Sequence, residues 1–369
     1  MNSLIVAAAG SGKTQKIIES ALELATQGKR VLITTFTETC ESEIRKRMVL
    51  NHGYIPPSIT IQTWFSFLIE HGARPYLGTT LQKDLAGLLL FNGKSGLRFV
   101  SNGRPVYWGE NNPSYFYTDS SGNVYSDKLA KLVIACNQMS NGNVIRRLGL
   151  CFDCILIDEI QDLAGADLDI LEILFHSPID VLLVGDPRQG TYSTHTSQKN
   201  KKYAKSGIID FFLNTKANLI IDDKSLNISH RCNQAICDVA NKLFPTMESA
   251  LGGNKEITGH DGVFLIPEEK IEKYLELFNP MQLRDSVKSA THPEYAAFNF
   301  GKSKGLTFDR TLIYPSKPIL NWLIDNNFEL KPTARSKLYV AFTRARYSVG
   351  LVVTKKDKWP VSIKEYDFN

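Results

Sequence analysis

Lys13 and Thr14 close the string AAAGSGKT (Ala7–Thr14), in which Gly10 and Gly12 lead directly into a basic and a hydroxyl side chain. Apart from Ala7, which stands where the pattern has its first glycine, this is the spacing of a phosphate-binding loop. Glycines let the backbone N–H groups of Ala9, Gly10, Ser11 and Gly12 converge on phosphate oxygens, and the N-terminus of a following helix adds partial positive charge. Lys13 is placed to reach the β- and γ-phosphates and Thr14 to ligate Mg²⁺ through its hydroxyl. A second string, ILIDEIQD (Ile155–Asp162), sets two carboxylates at the end of an apolar run. Asp158 suits a Mg²⁺ ligand and Glu159 a general base for water. Such a pair alone is often no more than an acidic helix N-terminus drawn to the helix dipole. In one chain with a phosphate loop it points to ATP hydrolysis.

The elements that must hold these groups read from hydrophobic period. Ser3–Ala8 reads as a buried strand and Lys13–Gln27 as an amphipathic helix with Gly28 at its C-cap. Val31–Thr35, Thr60–Gln62, Cys154–Ile157, Val181–Val184, Leu219–Asp222, Val263–Ile266, Thr311–Tyr314 and Ser348–Val353 read as further strands. Glu38–Val49, Asp167–Phe175, Asn233–Phe244, Lys270–Phe278 and Lys337–Arg344 read as helices. Strands alternating with helices predict an α/β fold of parallel sheets with crossover helices. The rhythm breaks over 74–150, a stretch rich in Gly, Asn, Ser and aromatics that regains a helix at Asp127–Met139. It reads as a small subdomain inserted in the first block. Its Tyr107, Trp108, Tyr115, Phe116 and Tyr117 could stack on bases or form the insertion's own core, and the core reading is favoured.

Composition sets the class. The 369 residues suffice for two or three domains, and 43% hydrophobic with 22% charged residues is ordinary for a globular protein. A net charge of +5 is compatible with a polyanionic partner without requiring one. No apolar run is long enough for a membrane span and no leader precedes the first strand, so a cytoplasmic protein without membrane contact is expected. Of the six cysteines, Cys151 and Cys154 form a C-x-x-C pair that lacks two further zinc ligands, and reduced thiols flanking a strand are expected.

Further strings share one order. DEIQD followed by VLLVGDPRQGTY resembles motifs II and III of superfamily 1 helicases of the UvrD/Rep/PcrA branch. TTFTETCESEIRKRM (Thr34–Met48) resembles motif Ia and TWFSF (Thr63–Phe67) motif Ib. NISHRCNQAI (Asn227–Ile236) resembles motif IV, GKSKGLTFD (Gly301–Asp309) motif V and LYVAFTRAR (Leu338–Arg346) motif VI. The matches run from Ala7 to Arg346, nearly the whole chain.

The resemblance implies two RecA-like cores that sandwich ATP, the first over 1–73 and 151–222, the second over 223–369, with 74–150 inserted in the first. It implies Arg231 and Arg344 as fingers on the γ-phosphate, Gln189 as its sensor and Gly305 as a nucleotide contact. Phe36, Thr37, Thr63, Trp64, Tyr192 and Ser303 would meet single-stranded or tailed duplex DNA, along which the protein would step 3′ to 5′.

The chain also departs from the pattern. It has no glutamine segment ahead of the phosphate loop to read adenine. In TYSTHT, Thr194 falls near the place of a base-stacking Trp, and Thr307 replaces a ribose-binding Glu. The stretch 244–298 has no room for the large regulatory subdomain between motifs IV and V. The leading expectation is an ATP-driven DNA translocase or helicase. The rival is a regulatory ATPase subunit that controls a partner nuclease, as in Gabija-like anti-phage systems. A degenerate pseudo-helicase conflicts with Lys13, Thr14, Asp158, Glu159, Gln189, Arg231 and Arg344, all present.

Overall fold

The computed structural model describes residues 1–91, 93–194, 199–354, 359–360 and 362–368. The chain divides into two units, one of residues 1–5, 13–187 and 193–222, the other of residues 6–12, 188–192 and 223–369.

The first unit is built on a six-stranded sheet. Its strands are β1 (Asn2–Val6), β2 (Val31–Thr35), β3 (Ile59–Thr63), β4 (Cys154–Ile157), β5 (Asp180–Gly185) and β6 (Leu219–Asp222), in the order β6-β1-β5-β4-β2-β3. The pairs β1–β6, β2–β3, β2–β4 and β4–β5 are parallel and in register, with Val31 opposite Ile59 and Cys154. Strands covered on both faces carry continuous apolar runs, which is why VLITT and CILI are buried along their whole length. Helices Lys13–Thr26, Glu38–His52 and Ala166–Phe175 cross over between strands. The second helix begins at Thr37, whose side chain accepts the N–H of Cys40 at 3.2 Å, and ends at Gly53 with φ 88°.

Within this unit, 74–150 carries two small two-stranded sheets and helices Leu129–Met139 and Asn143–Cys151. The hairpin Leu97–Ser101/Arg104–Tyr107 is antiparallel, with Leu97, Phe99 and Val100 exposed. The insertion's aromatics divide. Phe116 and Tyr117 are buried, whereas Trp108 is half-buried, stacked 4.7 Å from exposed Tyr115 with the Arg98 guanidinium 4.4 Å from its ring centre. The core reading holds for the first two rings.

The second unit has a five-stranded parallel sheet of β7 (Gly262–Pro267), β8 (Met281–Arg284), β9 (Ala297–Asn299), β10 (Phe308–Tyr314) and β11 (Ala345–Val353), ordered β7-β11-β10-β8-β9. Cys232, Ile236, Leu338, Phe342, Val349 and Leu351 fill one face. On the other, His260 lies against Phe264 and Phe278 at 4.7 and 4.0 Å, its Nε2 2.8 Å from the Tyr274 hydroxyl. Burial, with help from the Arg310 charge, lowers the His260 pKa from its ordinary value to about 4. Residues 364–366 run beside β7, where Leu265 N–H donates to Lys364 O at 2.9 Å and Tyr366 N–H to Leu265 O at 3.0 Å. Among the described residues no helix is long and apolar enough to cross a membrane.

Candidate active site

In the first unit the chemistry sits at the carboxyl ends of parallel strands, where α/β sheets expose their ligand-binding edge. Lys13 and Thr14 open helix Lys13–Thr26, which has no acidic side chain in its first turn. The Thr14 hydroxyl donates to Asp158 Oδ2 at 3.4 Å. Asp158 follows β4 and is 3% exposed. A hydroxyl and a carboxylate facing each other in this way fit Mg²⁺, which binds few protein oxygens and keeps waters or phosphate oxygens as its other ligands.

Glu159 adopts φ 56°, ψ 44°, a left-handed conformation rare for a residue with a side chain. Such backbone costs on the order of 1–3 kcal/mol and persists where its surroundings impose it. Here Glu159 N–H donates to Asp158 Oδ1 at 2.9 Å, and Gln161 Nε2 donates to the Glu159 carboxylate. The other end of the Gln161 amide accepts Asp186 N–H at 3.1 Å. A Cβ on Gly185 would come within 2.5 Å of Ile160 Cγ1 and also strike Gln161. Gln161 thus fixes the direction of the carboxylate, and only glycine at 185 leaves it room.

In the second unit, loop 6–12 is held by its backbone carbonyls. Arg188 donates to Ala7 O at 2.8 Å and to Glu248 O at 3.1 Å, His230 N–H to Gly10 O at 3.0 Å, and Ser229 Oγ to Ala9 O at 2.6 Å. These bonds occupy the carbonyls of Ala7, Ala9 and Gly10, while the Ala8 N–H donates to Leu226 O at 2.7 Å and the Ser11 N–H to Ala8 O at 3.3 Å. Gly10 has φ 76°, and a Cβ there would lie 2.7 Å from Arg231 Cβ, so both conformation and space demand glycine. Arg231 donates to Thr343 O at 3.0 Å, and burial pulls its pKa down. Arg344, 2% exposed, donates to Gln189 Oε1 at 3.1 Å, to Leu306 O at 3.2 Å and to Val340 O at 3.3 Å. Gln189, Arg231, Arg344 and the backbone of Ala9, Gly10, Ser11 and Gly12 are therefore all in one unit.

A family model described as an AAA domain matches residues 1–195, and one described as a viral superfamily 1 RNA helicase core domain matches residues 144–353. The chain belongs to the superfamily 1 helicases. This helicase chain is also similar to a solved structure described as a complex of arterivirus nonstructural protein 10 (helicase) with DNA, at 14% identity and a TM-score of 0.47, covering 95% of this chain and 61% of that one. It spans about three fifths of that protein's length. No curated protein matches it.

The side chains named above as nucleic-acid contacts are placed unevenly. Phe36 is half-buried, edge-on to Phe65 at 5.7 Å, and Thr37 is exposed. Tyr192 is 44% exposed, and its hydroxyl would lie 3.7 Å from a Cβ on Gly301. Gly305 is open, with φ 87°. Others need correction as direct contacts. Trp64 is 1% exposed and its indole N–H donates to Asp167 Oδ1 at 2.9 Å, so the ring is core and offers no face to a base. Thr63 is buried and caps the helix it starts, accepting Ser66 N–H at 3.1 Å. Ser303 is fully buried with its hydroxyl on Phe300 O at 2.7 Å. Thr194 is buried too, donating to the Asp167 carboxylate, and His195 and Thr196 of the same string lie outside the described residues. The sequence reading passed over Gln161, Arg188 and Asp167. Their one available signal was a polar side chain inside or next to a motif, and their partners are distant in sequence.

Proposed function

We propose that this helicase hydrolyses ATP with Mg²⁺ and couples the cycle to movement along single-stranded DNA. Asp158 and Thr14 hold the cation, and Glu159, aimed by Gln161, takes a proton from the attacking water. Lys13, the loop N–H groups and the guanidinium groups of Arg231 and Arg344 meet the phosphates, where charge develops in the transition state. The Thr14–Asp158 contact at 3.4 Å carries this reading, because it brings together the two oxygens that a Mg²⁺ site needs from chain positions 144 residues apart. The resemblance to UvrD-like proteins supports a 3′ to 5′ direction, with Phe36, Thr37 and Tyr192 as strand contacts. The test is ATP turnover with and without single-stranded DNA or RNA, followed by unwinding of 3′- and 5′-tailed duplexes. Stimulation by DNA and a preference for 3′ tails are expected. No stimulation by either polymer overturns the motor, and a 5′ preference overturns the direction.

A further inference from the structure

One buried carboxylate, just after one helicase motif, holds side chains from two other segments that carry or border such motifs. Asp167, 1% exposed, stands near the start of helix Ala166–Phe175, just after DEIQD. Its Oδ1 accepts the Trp64 indole N–H at 2.9 Å. Its Oδ2 accepts the Thr194 hydroxyl and, at 3.3 Å, the Ala164 N–H. Trp64 precedes Phe65, whose ring meets Phe36 at 5.7 Å, and Phe36 is a proposed strand contact. On the other side, Thr194 N–H donates to Asp162 O at 2.7 Å, and Asp162 N–H donates to Glu159 O at 3.0 Å. A path inside the first unit therefore runs from half-buried Phe36, through Phe65 and its chain neighbour Trp64, to buried Asp167 and on to the backbone of Glu159.

We propose that Asp167 is a positioning residue that ties occupancy of the nucleic-acid site to the placement of Glu159. This rests on the function proposed above. The physical case is satisfaction of a buried charge. A carboxylate out of water needs its acceptors filled, and its two side-chain donors, Trp64 and Thr194, come from segments far apart in the chain. Movement of Phe36 and Phe65 by a bound strand shifts Trp64. Asp167 can keep the indole N–H only by moving with it, and it draws Thr194 along. Thr194 is anchored by its own N–H to the turn that sets the unusual backbone of Glu159. Coupling of this kind typically changes a rate or affinity by 5- to 150-fold.

The experiment uses the full chain and three variants, with ATP turnover measured against single-stranded DNA and strand affinity measured separately without nucleotide. Trp64→Phe removes the indole donor and keeps a ring. Thr194→Val removes the hydroxyl and keeps the shape. Each is expected to leave turnover without DNA within about twofold and to cut the DNA-stimulated kcat roughly 10-fold, without loss of strand affinity. The double variant is expected to lose no more than either single one, because both act through the same carboxylate. Asp167→Asn, which keeps an acceptor for Trp64 and an amide donor towards Thr194, retains most of the stimulation. A merely structural role would lower turnover with and without DNA alike, together with thermal stability, and that result overturns the proposal. So do stimulation unchanged in both single variants, or losses that multiply in the double one. If the unmodified chain is not stimulated by any single strand, the motor reading itself falls. If it is stimulated and the variants match it, only the role of Asp167 falls.

Discussion

The two units are built alike, as parallel sheets with crossover helices, but around their motifs they bury opposite charges. The first encloses Asp158, Asp162, Asp167 and Asp186, each at most 4% exposed. The second encloses Arg188 and Arg344, at 3% and 2%, and draws Arg231 partly out of water. A buried charge is costly unless it is paired or hydrogen-bonded. Asp158 and Asp167 accept from hydroxyl, indole and backbone donors, and Arg188, Arg231 and Arg344 donate to carbonyl oxygens and one amide oxygen. The contrast teaches a division of labour. Buried carboxylates suit holding a cation and moving a proton. Buried guanidinium groups suit meeting phosphate.

Breaking the basic side of that contrast has the largest expected effect. Arg344→Ala is expected to lower ATP turnover by about 10³–10⁵-fold, the range of a lost arginine finger, with nucleotide binding retained in a fluorescent-analogue titration. A loss below tenfold removes Arg344 from the reaction. On the acidic side, Glu159→Gln is expected to cost roughly 10²–10⁴-fold in kcat with little change in KM. A pure KM effect in steady-state kinetics assigns Glu159 to binding instead.

A third test asks whether the second unit tolerates a new positive charge. The His260 pKa is lowered from the ordinary 6.5 to about 4, so between these values the unfolded chain binds a proton that the folded one refuses. Stability is then full above pH 6.5 and falls as pH drops towards 4, by on the order of 3 kcal/mol for a shift of this size. Denaturant titrations from pH 7 to 4 should show that slope, and His260→Phe should flatten it. An unchanged slope in the variant locates the acid sensitivity elsewhere. The smallest effect is expected in the insertion. Trp108→Ala removes a stacked pair and a cation–π contact at a half-buried site and should cost about 1 kcal/mol in thermal unfolding. A loss of several kcal/mol would make Trp108 part of the insertion's core.

Local strings were the legible part of the molecule. VLITT and CILI are strands at the residues where the apolar pattern puts them, because strands buried on both faces need continuous apolar runs, and LIID is a strand at its expected residues at the sheet's edge, with Ile220 half exposed. Met281–Arg284 and Ala297–Asn299 were not foreseen. Gln282 interrupts the first of them, and its burial is made possible by His292 O and Tyr295 O, which its amide reaches at 2.9 Å. The same blindness governs the site. AAAGSGKT announces its chemistry because a phosphate cradle is built from consecutive residues, and DEIQD because it sets two carboxylates at the end of an apolar strand, although Asp158 meets Thr14 only in the fold. Trp64 is implied as a nucleic-acid contact by its motif, because nothing in the sequence shows that its partner, Asp167, is 103 residues away. Arg188 and Gln161 act on carbonyl and amide groups, which any sequence offers everywhere.

The close approach of Gly10 to Arg231 carries a warning for anyone scanning the loop by substitution. Alanine at position 10 adds one methyl group whose nearest neighbour is Arg231 Cβ at 2.7 Å. That methyl acts as a lever on the guanidinium. A Gly10→Ala variant would therefore bear the kinetic signature of a displaced arginine, slow in turnover, while a reader of the motif alone would blame a damaged phosphate cradle.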